Sequence, residues 1–143
     1  MAAILVSGCT QTPADMLTAG TWTCKAKSDD SQMDLTFEKG GKLVGKMTSD
    51  RKDPAQAQPD DIVLKMEFGG SWSLAGDSDL TFGFKDAKVI EAKRGGQDLP
   101  QEETEYFKQA FTSEPAIKSK ITVSGSKLVI TQEDKDEPLE CSR

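Results

Sequence analysis

A chain of 143 residues with a formal charge of −6 and 36% hydrophobic residues is the size of one domain with a real core. Its acidity argues against binding to nucleic acid or to an anionic membrane surface. The sequence contains no histidine, which excludes Ser-His-Asp and Cys-His catalysis and any metal site built on imidazole. Carboxylates, lysines and a single tyrosine remain; no converging pair among them stands out, so a non-catalytic protein without cofactor or metal is expected.

In chain order, the first feature is a short apolar run, Ala2 to Val6, ending in Val6-Ser7-Gly8-Cys9. This run of small residues before a cysteine resembles the lipobox of bacterial lipoproteins, in which the cysteine is diacylated and then exposed by cleavage. The run is too short to cross a membrane as a helix. The resemblance implies that residues 1–8 are the remnant of a signal peptide and that Cys9 carries lipid. It also implies an anchor in the bacterial outer membrane with the domain on the periplasmic face, the cell surface being the alternative. Thr10 to Leu17 is polar, holds a proline and lacks alternation, so residues 9–18 read as a tether and 19–143 as the folded domain. With Cys9 assigned to lipid, Cys24 and Cys141 remain, one in the first predicted strand and one in the last. An envelope setting permits a disulfide between them, and closing so long a loop is worth about 4–5 kcal/mol in the chain-entropy account. The alternative is a pair of buried free thiols.

From residue 20 onward, alternation dominates. Trp22, Cys24 and Ala26 share one face of a strand; Met33, Leu35 and Phe37 share a face of the next. Gly40-Gly41 makes a turn into a return strand, Lys42 to Thr48. Residues 49–61 are polar with two prolines and read as the longest connecting loop. Ile62, Leu64, Met66 and Phe68 give the cleanest strand. Gly69-Gly70 is read as a turn into Trp72 and Leu74, Leu80 to Phe84 as the following strand, and Ala87 to Ala92 as a weaker one.

The period changes at Asp98. Asp98-Leu99-Pro100-Gln101 resembles a capping box with Asp98 as N-cap. Glu102, Glu103 and Glu105 suit a helix N-terminus. Tyr106, Phe107, Ala110 and Phe111 form an apolar stripe at helical spacing, and Pro115 stops it. One helix is therefore predicted at about 101–112, packed over an open end or a face of the sheet. Strands resume at Lys118 to Val123, Lys127 to Thr131 and Leu139 to Cys141, the last after the charged loop 133–137.

Two local matches carry no chemistry. Gly40 to Met47 nearly spells a phosphate-binding loop, but it ends in Met47 and falls in a hairpin, where no helix N-terminus follows. Asp60 and Asp61, Asp77 and Asp79, and the 133–137 run lack the spacing of a calcium loop and read as turns and solvated faces. The basic residues of 42–52 and 85–94 read as strand exteriors.

Gly20-Thr21-Trp22-Thr23 recurs as Gly70-Ser71-Trp72-Ser73, and Asp34-Leu35-Thr36-Phe37 as Asp79-Leu80-Thr81-Phe82. Gly20-Thr21-Trp22 resembles the first-strand G-x-W motif of lipocalin-like barrels, in particular small bacterial lipoproteins that begin "GTW" and continue with F-x-x-x-G hairpins such as Phe37 to Gly41. The resemblance spans roughly residues 19–142. It implies an all-β fold with one helix: an antiparallel meander barrel of about eight to ten strands, closed where the Cys24 strand meets the Cys141 strand. Lipocalins also carry a T-D-Y-type motif, which is absent here, and a late arginine that packs on the tryptophan. Arg143 stands too near the terminus for that role to be assigned to it.

The expected function is a lipid-anchored binding module for a small apolar ligand or lipid. Trp22, Phe37, Phe68, Trp72, Phe82 and Phe84 are the candidate barrel-interior residues. The alternative is a protein-interaction lipoprotein, either an accessory subunit of an envelope complex or an inhibitor of a basic enzyme such as lysozyme. The expected partners are thus the membrane through Cys9, and an apolar ligand or an envelope protein, with no nucleic acid.

Overall fold

The computed structural model describes residues 11–26, 31–51, 62–113, 115–135 and 137–143. Cys9, residues 1–8 expected as a signal-peptide remnant, the 52–61 part of the predicted loop, and Asp60 and Asp61 lie outside the described residues.

A short helix α1 (Pro13–Leu17) precedes five strands: β1 (Thr21–Lys25), β2 (Ser31–Phe37), β3 (Lys42–Arg51), β4 (Ile62–Ala75) and β5 (Asp79–Arg94). A two-residue strand β6 (Gln97–Asp98) and helix α2 (Gln101–Thr112) follow, then β7 (Ile117–Ser124), β8 (Lys127–Gln132) and β9 (Leu139–Ser142). All pairings are antiparallel; successive barrel strands pair, β5 with β7 past β6 and α2, and β9 returns to pair with β1. The result is a closed eight-stranded up-and-down barrel of lipocalin-like plan, with β6 appended to the end of β5. Five barrel strands precede α2 and three follow it.

The seam lies where the cysteine pattern put it. Cys24 and Cys141 stand opposite each other across β1 and β9, and their sulfurs are bonded across 117 residues of sequence. Both are buried, beside a fully buried Trp22.

The two longest strands depart from the sequence reading. Gly69-Gly70 makes no turn: β4 runs unbroken for 14 residues. A Cβ on Gly70 would sit 1.8 Å from the carbonyl oxygen of Gly83 on β5, so glycine is required there by the close approach of two backbones. The segments 80–84 and 87–92 are one 16-residue strand, β5. The register skips Lys85 and Ile90, since Gly69 and Gly70 face Asp86 and Phe84, while Lys65 and Met66 face Glu91 and Val89. Each extra residue is a bulge that inverts the alternation. Leu80, Phe82 and Phe84 therefore point inward, then Ala87 and Val89, then Ala92, while Ile90 is 51% exposed.

Helix α2 has the predicted bounds but not the predicted cap. Its N-cap is Pro100, without a side-chain cap. Asp98 is taken up by pairing with Lys93 in the β5–β6 hairpin. Leu99 then buries its side chain and donates its N–H to the carbonyl of Ala92. On the helix, Phe107 and Phe111 pack on the core. Tyr106 does not: one position before Phe107, it is turned from it by about 100°, and it is 70% exposed.

Pro13–Leu17, expected as irregular tether, is helical. Thr12 and Asp15 cap it reciprocally with Pro13 in the first turn. Leu17 is fully buried, and its carbonyl accepts the indole N–H of Trp22 at 3.0 Å.

Candidate functional site: the open end of the barrel

An up-and-down barrel places alternate connections at opposite ends. The chain entry at α1, the turns at 38–42, 76–78 and 125–126, and the C-terminus share one end. The C-terminal ends of β1, β3, β5 and β8 lie at the other. At the first end the interior is solid: Leu17, Trp22, Leu35, Leu43, Leu80 and Leu128 are all 0% exposed. Gly45 belongs to this packing, because a Cβ there would meet the ring of Phe68 at 2.2 Å.

The α1 end is also sealed from outside. The guanidinium of Arg143 lies 4.4 Å from the centroid of the Trp22 ring. It donates to the carbonyl oxygens of Met16 (2.6 Å), Ala19 (3.1 Å) and Gly125 (2.9 Å). These contacts join the segment before β1, the β7–β8 turn and the chain end. Arg143 thus occupies the late-arginine role that its position next to the terminus seemed to deny it; sequence separation does not limit contact when β9 lies beside β1.

The other end is hollow. β5 is paired to β7 only over Asp79–Phe82, so the barrel wall splays above Phe82 and α2 covers the gap. Phe111 reaches in from the helix, its ring 5.2 Å from both Phe68 and Phe84, which are 4.4 Å from each other. An ion pair between Arg94 and Glu103 (3.2 Å) holds the helix near its start. Beneath the helix C-terminus lies a cavity of about 420 Å³, within the range of about 300–1,000 Å³ usual for small-molecule sites. Its walls include Cys24, Met33, Met47, Phe82, Phe84, Phe111, Ile117 and Leu139, and Gln132, Lys135 and Glu137 stand among its polar lining groups. An eight-stranded barrel is just wide enough to be filled by side chains or to hold one small ligand; this barrel does the first at one end and leaves room at the other.

Of the six aromatic candidates, Phe82 and Phe84 line the cavity. Phe68 is buried behind them. Trp22 and Phe37 belong to the solid end. Trp72 is half-buried, edge-on to Phe37 at 5.7 Å, and donates its indole N–H to the carbonyl of Glu38. The repeated tryptophans therefore share a habit, an indole bonded to a backbone carbonyl. Met33, Met47, Phe111, Ile117 and Leu139 are not among the candidate interior residues read from sequence, although each falls on the inward face of its strand or helix.

Among the described residues, no group of three or more His, Cys, Asp or Glu side chains could hold a metal ion. Among the described residues, the carboxyl with a displaced pKa is on the outer face: Glu91 is held below the usual range, first by the hydrogen bond from Lys65 and then by the charges of Lys65 and Lys93.

No protein-family model matches the chain, and no curated protein matches it either.

Proposed function

We propose that this protein is a non-catalytic binding module that holds a small apolar ligand or lipid under helix α2. One observation carries the reading: a 420 Å³ hollow walled by methionine, phenylalanine, isoleucine and leucine side chains in a barrel whose other end is solid. A burial-driven site needs apolar walls and few polar groups, and the polar residues at this cavity suit the head of an amphiphile. The lipobox-like Val6-Ser7-Gly8-Cys9 supports a lipid anchor on Cys9 and a place at the periplasmic face of the outer membrane, where a disulfide between Cys24 and Cys141 is at home. Native mass spectrometry of freshly purified protein, followed by titration with N-phenylnaphthylamine, tests the reading. An apolar adduct, or saturable fluorescence uptake displaced by a fatty acid, is expected. A protein that carries no adduct and takes up no probe would contradict it.

A second reading, a protein-interaction lipoprotein, is favoured by the outer face of α2. Tyr106 is 70% exposed there, and the chain's net charge of −6 suits a basic partner. Crosslinking in the envelope separates the two: a reproducible partner lost in Tyr106→Ala supports this reading.

A further inference from the structure

The chain has five methionines, and three of them stand side by side. Met33 on β2 faces Met47 on β3, and Met47 faces Met66 on β4. The same transverse row continues through Cys24, opposite Met33, to Cys141, opposite Cys24. Sulfur therefore occupies this row on every strand from β9 through β1, β2 and β3 to β4. All of these side chains lie on the inner face: Cys24, Cys141 and Met66 are buried, Met33 and Met47 are half-buried, and Cys24, Met33 and Met47 wall the cavity.

Methionine often serves as a flexible filler in cores, and a single one at the cavity wall would need no further account. A filler role does not explain the row. The solid end of this barrel is filled with leucine at Leu17, Leu35, Leu43, Leu80 and Leu128. Apart from Met1, outside the described residues, the only methionine off the row is Met16 on α1.

We infer that Met33, Met47 and Met66 form a binding site for a soft monovalent d10 cation, Cu(I), held by three thioethers. Residues directly opposed on neighbouring antiparallel strands have Cα atoms about 4.5–5.5 Å apart, and each methionine has three rotatable bonds with which to aim its sulfur. Three such side chains on adjacent strands of a concave wall can converge on one ion. Thioethers are soft, uncharged donors that select Cu(I) over magnesium, calcium or manganese. Zinc finds neither imidazole in the chain nor a thiolate in a disulfide-bonded pair. The cavity supplies an entry path, and the protein's negative charge favours approach of a cation. This site goes beyond the apolar-ligand reading and does not rest on it, since a hollow that takes up no lipid still has its thioethers.

Silver(I), a redox-inert stand-in that leaves the disulfide intact, is the probe. It is titrated into protein whose Cys9 thiol is blocked by its lipid or removed as Cys9→Ser, labelled with ¹³C at the methionine methyls and followed by NMR, with an anaerobic Cu(I) competition against bicinchoninate alongside. Expected is saturation at one ion per chain, with the methyls of Met33, Met47 and Met66 shifting and that of Met16 unmoved. Met47→Leu, which keeps the side-chain volume, should weaken binding by about tenfold or more, and Met16→Leu should not. Because thioethers carry no proton to lose, affinity should hold from about pH 7 to about pH 5, where a thiolate site would weaken. No shift at stoichiometric silver, equal shifts at Met16, or loss of binding on acidification would overturn the assignment. Since the readout is the methionine methyls with the cation alone, its failure is distinct from failure to find a lipid adduct.

Discussion

At the α1 end of the barrel, Leu17, Trp22, Leu43 and Leu128 are out of contact with water; at the α2 end, Met33, Met47, Phe84, Phe111 and Leu139 are only partly covered. Apart from Leu17 on α1 and Phe111 on α2, both sets come from the inward alternation of the barrel strands. The difference lies in what joins the strands. Tight turns at 38–42, 76–78 and 125–126 bring the α1 end together, with Leu17 as a plug and Arg143 bound over Trp22. At the far end the connections are longer, β5 leaves β7 after Phe82, and a helix with no buried residue of its own spans the gap. Closing the backbone ring of a barrel is thus a separate matter from filling it. Short connections with a buried plug give a core, and a lone helix over splayed strands gives a cavity.

The same substitution should cost very different amounts at the two ends. Leu128→Ala removes a fully buried side chain from a packed region and should lower unfolding free energy by about 2–5 kcal/mol. Leu139→Ala, in the cavity wall, removes a side chain that is already partly solvated and should cost about 1 kcal/mol. Urea denaturation of the two variants decides this, and equal losses would break the contrast between the ends.

Arg143→Ala sharpens the comparison with a smaller effect. It removes a cation–π contact and three hydrogen bonds to carbonyls at a partly solvated site, and should cost about 1–2 kcal/mol. Arg143→Lys should recover only part of this, because an ammonium cannot both stack and fork. Hydrogen exchange should speed up at Leu17 to Trp22 and stay unchanged in α2; a uniform change would show that the two ends are not independent.

Much of this architecture is legible in the sequence because it is local. The α2 bounds follow from helical spacing between Pro100 and Pro115, and the Cys24–Cys141 seam from two cysteines on matching faces of the first and last strands. What escaped has physical reasons. Bulges at Lys85 and Ile90 invert the alternation, so one strand looked like two. Gly69-Gly70 looks like a turn signal because the need for glycine comes from Gly83 on a neighbouring strand. Helix α1 is only five residues long with one apolar anchor, yet Thr12-Pro13-Ala14-Asp15 already carried a cap signature. The cavity wall and the methionine row are properties of register across five strands, and no linear motif records them.

The central claim, that this barrel is solid at one end and hollow at the other, is tested most directly by xenon titration followed by ¹³C-methyl NMR. Xenon enters apolar voids without needing a specific ligand. The account predicts saturable shifts at the methyls of Met33, Met47, Ile117 and Leu139, with those of Leu35, Leu43 and Leu128 unmoved. Shifts of equal size at both ends, or none at the α2 end, would contradict it.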